Sequence, residues 1–232
     1  MSKRILLAED DPEISQLIEG HLTQENYIVY PAYDGEEAEA LFLQEKFDLV
    51  LLDLMLPKVS GMDLLRRIRE MSVVPVLIIS ARGSDLDKAL GLGFGADDYV
   101  SKPFSMVELA ARVQAAIRRA TQYAQSESKA DAPATLSFRD LTLDLQTFSA
   151  IVNGKSVQLT SKEFGILKLF LTHRSRVFTK EQIYQRIWED DYYGNENVIN
   201  VHIRRLREKI EEDPSAPQYI RTIWGIGYKM GE

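Results

Sequence analysis

The chain has 232 residues and is 45% hydrophobic, enough to bury a sizeable core in one or two domains. It has no cysteine, which excludes disulfides, thiol catalysis and thiolate metal sites. The net charge of −7 is uneven: residues 1–120 carry 13 Lys and Arg against 20 Asp and Glu, and residues 136–232 carry 14 against 13, so two modules with different partners are expected.

No apolar run approaches the ~20 residues of a membrane span. Met1-Ser2-Lys3-Arg4-Ile5-Leu6-Leu7-Ala8-Glu9 reaches a carboxylate too soon for a signal peptide. A cytoplasmic protein with no membrane contact is expected.

Residues 4–8 form a short apolar strand that runs into Glu9-Asp10-Asp11. Pro12 opens a helix with Ile14, Leu17, Ile18 and Leu22 on one face. Tyr27–Tyr33 is a second strand, and Asp34-Gly35 turns into a helix carrying Ala38, Leu41 and Phe42. Leu49-Val50-Leu51-Leu52-Asp53-Leu54-Met55-Leu56-Pro57 follows, a continuous run of branched aliphatics broken by one carboxylate. Such a run reads as a strand buried on both faces of a parallel sheet. A buried Asp53 is costly unless paired or metal-bound. At the strand's carboxyl end it would instead lie where open α/β folds bind ligands.

Ser60-Gly61 leads to a helix with Leu64, Leu65 and Ile68, and Val76–Ala81 is a fourth strand that includes Ser80. A helix over Leu86–Leu92, a short strand around Tyr99 and Lys102-Pro103-Phe104 come next. Ser105 caps a last helix carrying Val107, Leu109, Val113 and Ile117. Five such βα units predict an α/β fold with a doubly wound, five-stranded parallel sheet. Right-handed crossovers gather the strands' carboxyl ends on one edge. Glu9-Asp10-Asp11, Asp53, Ser80 and Lys102 therefore converge there.

Thr121–Thr135 loses apolar periodicity and reads as a linker whose first residues can extend the preceding helix. Beyond it, Leu136–Phe138, Leu141–Asp144, Phe148–Val152 and Lys155–Gln158 are short strands, with a hairpin signal at Asn153-Gly154. Thr160 and Glu163 form a capping box for a helix with Phe164, Leu167 and Leu171. Thr179 starts a second helix, with Ile183, Ile187 and Trp188, and Asn197–Ile210 is a third. Tyr219–Met230 closes as a hairpin. A small sheet, three helices and a terminal hairpin give the order of a winged helix, here over residues 136–232.

Carboxylates meeting on one edge repel each other unless a cation intervenes. Oxygen ligands without His or Cys suit a hard ion such as Mg2+. With a lysine and a serine hydroxyl beside them, they supply what phosphoryl transfer needs: a nucleophilic carboxylate, a metal and a countercharge. Asp53 is the most economical acceptor.

The combination of Glu9-Asp10, Asp53 with Met55-Leu56-Pro57 and Gly61, Ser80-Ala81, Gly95-Ala96-Asp97-Asp98-Tyr99 and Lys102-Pro103-Phe104 resembles a bacterial response-regulator receiver domain over residues 1–120. The whole chain resembles the OmpR/PhoB subfamily of transcription factors. That resemblance implies that a sensor histidine kinase phosphorylates Asp53, with no enzymatic turnover of an outside substrate. It implies Asp10, Asp53 and the Met55 carbonyl as Mg2+ ligands, Glu9 acting through water, and Lys102 on the phosphoryl group beside a cis Lys102–Pro103 peptide. Ser80, where the family more often has Thr, and Tyr99 are the implied switch pair: as the Ser80 hydroxyl is drawn in, the Tyr99 ring turns into the space it leaves. Asp11 has no implied role and reads as an N-terminal charge for its helix. Receivers of the subfamily dimerise through ion pairs, here Lys88 with Glu108, Asp97 with Arg119 and Asp98 with Arg112.

In the third helix of the second module, Ile199, Ile203, Leu206 and Ile210 share a core face at 100° per residue. The opposite face collects Asn197, Val201, Arg204 and Glu208, flanked by Asn200 and Arg205. Arg and Asn there suit base readout in the major groove of double-stranded DNA. Arg207, Arg221 and Lys229 complete the candidate contacts. In well-known relatives an Arg stands where this chain has Trp224, and it reaches the minor groove. Asp190-Asp191-Tyr192-Tyr193-Gly194-Asn195 matches the loop proposed to touch RNA polymerase.

The expected function is a phosphorylation-switched, dimerising regulator of transcription. An aspartyl-phosphate phosphatase would need an acid two residues after its nucleophile, and that position is Met55. A DNA-binding regulator whose receiver dimerises without phosphate is the alternative.

Overall fold

The computed structural model describes residues 2–81, 95–125, 135–147, 149–188 and 196–231, with backbone alone at 119, 121–125, 196 and 197. The chain divides into two compact units, Met1–Ala120 and Thr121–Glu232.

Strands β1 (Arg4–Ala8), β2 (Ile28–Ala32), β3 (Leu49–Leu52), β4 (Val76–Ser80) and β5 (Asp98–Ser101) form a parallel sheet in the order β2-β1-β3-β4-β5. Helices α1 (Pro12–Gln24), α2 (Gly35–Gln44), α3 (Gly61–Met71) and α4 (Met106–Gln125) accompany them. Asp11 and Asp34 start the first two helices by accepting backbone N–H groups, the ordinary use of aspartate at an N-cap. Ile18, Leu22, Leu109, Val113 and Ile117 of α1 and α4 pack on Ile5, Leu7, Leu49, Leu51, Leu77 and Ile79. The alternate strand residues Leu6, Val50, Leu52 and Ile78 are also fully buried, on the opposite face. Burial of both faces explains the continuous apolar runs in the sequence. The helix expected over Leu86–Leu92 lies outside the described residues. Helix α4 reaches Gln125, into the stretch read as linker, and residues 126–134 are not described.

The second unit starts with an antiparallel meander, β6 (Thr135–Phe138), β7 (Leu141–Asp144), β8 (Ser149–Val152) and β9 (Lys155–Val157). Asn153 and Gly154 have φ of 49° and 76°, as a two-residue hairpin turn of the primed type demands. Helix α5 (Ser161–Thr172) begins with the capping box of Thr160 and Glu163. Helices α6 (Lys180–Trp188) and α7 (Glu196–Ile210) and the hairpin β10 (Ile220–Ile223)–β11 (Gly227–Met230) complete a winged helix. Ile199, Ile203, Leu206 and Ile210 of α7 are at most 2% exposed, so the apolar stripe of this helix is its core face. Phe178 and Tyr228 exchange two backbone hydrogen bonds of 2.9 Å, which fix the hairpin to the segment before α6. Gly227 is required there, because a Cβ would lie 2.0 Å from the Phe178 carbonyl oxygen. No described helix is long and apolar enough to cross a membrane.

Candidate functional site

Parallel strands end on a common edge, and the acidic residues follow directly from that. Strand β1 ends at Ala8, so Glu9 and Asp10 emerge beside Asp53, the residue after β3. The Asp53 N–H donates to the Ala8 carbonyl at 2.9 Å and carries the ladder one step past the strand. Of the two placements open to Asp53, the structure shows the strand's carboxyl end. Across the sheet, the Lys102 N–H donates to the Ser80 carbonyl at 2.9 Å and brings the lysine to the same edge. The loop after β3 is held close: a Cβ on Gly61 would lie 2.0 Å from the Asp53 carbonyl oxygen.

Glu9 is fully buried, Asp53 is 3% exposed and Asp10 faces solvent. One carboxylate oxygen from each lies within 4.8 Å of the others. The Lys102 ammonium sits between two of them, donating to Glu9 Oε1 at 2.7 Å and to Asp53 Oδ2 at 2.5 Å. The Met55 N–H donates to Asp53 Oδ1 at 2.8 Å, so both oxygens of Asp53 are oriented. Burial pushes the Glu9 carboxyl above the usual range, Lys102 opposes the shift, and the Asp53 charge adds to it. Burial also works against the Lys102 charge, but hydrogen bonds to Asp53 and Glu9 outweigh it and hold the ammonium above the ordinary lysine value.

Three carboxylates against one ammonium leave two negative charges uncompensated. Glu9 Oε2 is buried with no hydrogen-bond partner. An orphaned acceptor in an all-oxygen set fits a hard divalent cation. Asp11 is not part of that set, because its Oδ1 accepts the N–H groups of Glu13 and Ile14 at 2.9 and 3.2 Å. Ser80 is fully buried, and Tyr99 on the neighbouring strand is already covered at 9% exposure. The Lys102–Pro103 peptide is cis.

Among the residues read as dimer contacts, Lys88 and the side chain of Arg119 lie outside the described residues. Asp97 points inward: it is 2% exposed, its Oδ2 is 2.8 Å from Arg69 Nη2, and it accepts the Val76 N–H at 3.0 Å. Arg69 also donates to the carbonyls of Gly95 and Val74 at 2.7 and 2.6 Å, so the pair staples α3 to the ends of β4 and β5. This buried intramolecular role differs from the exposed intermolecular one expected of Asp97. No local signal announces it, since the partners are 28 positions apart. Arg112 pairs within the chain with Asp98 and Glu108, each at 3.2 Å. A pairing of Arg112 with a second copy has to exchange these contacts.

On the outer face of α7, the Arg204 side chain is 80% exposed and 2.9 Å from Glu208. Val201 and Arg205 are half-buried, and the side chain of Asn197 is outside the described residues. Asn200 Oδ1 accepts the Tyr228 hydroxyl at 2.9 Å, which leaves its NH2 group to donate elsewhere. Arg207 corrects the sequence reading. Its guanidinium donates twice to the Ile220 carbonyl, at 3.0 and 2.6 Å, and once to Thr222 Oγ1 at 2.9 Å. It therefore clamps the hairpin to α7 rather than reaching outward. Arg221 and Lys229 stand opposite each other across the hairpin, Arg221 exposed and Lys229 half-buried. An open groove of about 570 Å3, lined by Thr179, Lys180, Asn200, Trp224 and Tyr228 among others, separates the start of α6 from the hairpin. Sequence reading took Thr179 only as a helix start and missed this groove. The loop matched to an RNA polymerase contact, 190–195, is not described.

The chain matches the family model of the response regulator receiver domain over residues 5–114, and that of the transcriptional regulatory protein C-terminal domain over residues 154–230. It is 56% identical over 227 residues to the uncharacterized transcriptional regulatory protein YcbL of Bacillus subtilis, covering 98% of this chain and all of that one. It is 42% identical over 232 residues to the response regulator GtcR of Aneurinibacillus migulanus, covering 99% and 96%. The crystal structure of the response regulator DrrB, a Thermotoga maritima OmpR/PhoB homolog, aligns with all of both chains at 33% identity and a TM-score of 0.50. The chain belongs to the OmpR/PhoB-type response regulators, transcription regulators that join a receiver domain to a DNA-binding domain.

Proposed function

We propose that Asp53 accepts a phosphoryl group from a phosphohistidine of a sensor kinase, and that the modified receiver pairs with a second copy to raise DNA affinity. The observation that carries this is the Lys102 ammonium held between Glu9 and Asp53 in a group of three converging carboxylates. An Asp53 oxygen forms the new O–P bond as the P–N bond breaks, and that electron pair returns to the imidazole. Lys102 stays charged and lies within hydrogen-bond reach of Asp53, where it counters the charge on the incoming phosphoryl oxygens. Glu9, Asp10 and Asp53 would hold Mg2+, with the Met55 carbonyl added by resemblance, and a bound ion would neutralise charge on those same oxygens.

Ser80 and Tyr99 are the proposed link to the rest of the domain, since both are buried on the strands nearest Lys102. A phosphoryl group must favour the active arrangement by a few kcal/mol to change populations usefully. Ion pairs that stay exposed at a receiver interface are worth ~0–1 kcal/mol each and so would set register more than strength. The DNA-binding module is close to neutral, so two copies on adjacent half-sites supply the affinity that one lacks.

Incubation with acetyl phosphate and Mg2+ followed by intact-mass measurement tests the acceptor. The wild type should gain one phosphoryl group, and Asp53→Ala none. An unmodified wild type, or equal modification of the variant, would reject Asp53.

A further inference from the structure

The amide of Asn200 on α7 is oriented from the hairpin. Its Oδ1 accepts the Tyr228 hydroxyl at 2.9 Å. Tyr228 has little freedom to move. It is 7% exposed, its backbone exchanges two hydrogen bonds of 2.9 Å with Phe178, and the Arg207 guanidinium lies 5.7 Å from its ring centroid. Thr222, directly opposite Tyr228 in the hairpin, takes a further bond from Arg207. The phenol is therefore a fixed donor, and it claims one edge of the amide.

That claim decides what Asn200 can offer a partner. A planar amide carries an acceptor oxygen on one edge and a donor NH2 group on the other. With Oδ1 held toward the hairpin, the NH2 group is the edge left over. Asn200 is half-buried at the rim of the open groove, and Arg204, one turn along the same ridge of α7, has its side chain 80% exposed. The remaining edge of Asn200 thus belongs to the outer face of the helix.

An asparagine that reads adenine uses both edges on one base: the oxygen accepts from N6 and the NH2 group donates to N7. Tyr228 aims the oxygen of Asn200 elsewhere. A donor alone suits guanine, whose N7 and O6 are both acceptors, and is mismatched to cytosine, whose major-groove edge is itself a donor.

We propose that Tyr228 is a positioning residue for base recognition. It makes Asn200 a donor-only contact, so that this residue selects guanine rather than adenine. The proposal rests on α7 being the helix that reads the major groove, and the experiment separates the two.

The full chain, treated with acetyl phosphate and Mg2+, is used to enrich duplexes from a random-sequence library, alongside Asn200→Ala, Asn200→Asp and Tyr228→Phe. The position whose preference disappears in Asn200→Ala is the one this residue faces. There the wild type should favour a G·C pair over A·T by about 5-fold or more. Tyr228→Phe keeps the ring and frees the amide oxygen, so it should replace guanine by adenine on the same strand and leave the other positions unchanged. Asn200→Asp presents an acceptor in place of the donor, so it should flip the pair and put cytosine where guanine stood. Far-UV melting curves are the folding control, and the wild-type preference with the Asn200→Asp flip carries the test if Tyr228→Phe does not fold.

A wild type that prefers A·T at this position would overturn the proposal while leaving the α7 reading intact. So would a folded Tyr228→Phe that weakens all sequences equally. An unflipped pair in Asn200→Asp would mean that the amide oxygen faces outward, against the proposal. If Asn200→Ala alters no position, Asn200 meets no base and the proposal fails. Failure to enrich any duplex would overturn both the proposal and the α7 reading.

Discussion

Arg207 on α7 and Thr222 on β10 are joined by a 2.9 Å hydrogen bond, and the same guanidinium closes on the Ile220 carbonyl at 2.6 Å. The helix and the hairpin of the DNA-binding domain therefore move as one piece. Arg207→Ala should lower DNA affinity by freeing the wing, yet leave the salt slope unchanged, because its guanidinium is turned to the Ile220 carbonyl and Thr222 Oγ1. Arg221→Ala, at an exposed position, should reduce that slope by about 1. Titrations of both variants at several salt concentrations distinguish the two roles.

Arg69 is 9% exposed at its side chain and Asp97 3%, so this ion pair is shielded from water. Arg69→Ala leaves the Asp97 carboxylate buried without that partner, which typically costs ~3–5 kcal/mol. Urea unfolding of the receiver should show a loss of that order. Near-wild-type stability would show that solvent reaches Asp97.

The Tyr219 hydroxyl donates to the Asp140 carboxylate, and burial together with that neighbour raises its pKa well above the ordinary tyrosine value. The folded state thus keeps its proton where the unfolded chain ionises, near pH 10. The stabilisation is complete below that pH and is lost as pH rises beyond it. Tyr219→Phe should be less stable than wild type at pH 8, with the gap narrowing above pH 10. Thermal melts across that range measure it.

Lys102→Ala should abolish acetyl phosphate-dependent modification and leave Glu9 and Asp53 facing each other without their shared cation. The Glu9 carboxyl, already pushed up by burial, should rise further. Melting temperatures with and without Mg2+ should show a larger gain for the variant than for wild type, since the ion would replace the missing charge.

The parts of this structure legible in the sequence are those governed by periodicity and topology. Strand β1 spans residues 4–8 as its apolar run indicates, and the stripe Ile199, Ile203, Leu206, Ile210 faces the core. The meeting of Glu9, Asp10, Asp53 and Lys102 follows from parallel strands ending on one edge, with no pairwise information needed. The direction of a single side chain was not legible. Arg207 sits at the flank of α7, and nothing in its neighbours announces a carbonyl acceptor 13 residues later. Asp97 stands beside Asp98 in the chain, yet one is tied to Arg69 and the other to Arg112. Asp97 stands just before β5 and Asp98 opens it, and the long-range partner each side chain meets decides the outcome.

Light scattering on the full chain before and after treatment with acetyl phosphate and Mg2+, with Asp53→Ala alongside, tests the phosphorylation switch most directly. A doubling of the solution mass in the wild type alone is the predicted result. A wild type that carries the phosphoryl group and stays monomeric would contradict dimerisation as the readout. Dimers of equal strength in both proteins before treatment would contradict the switch itself and favour pairing without phosphate.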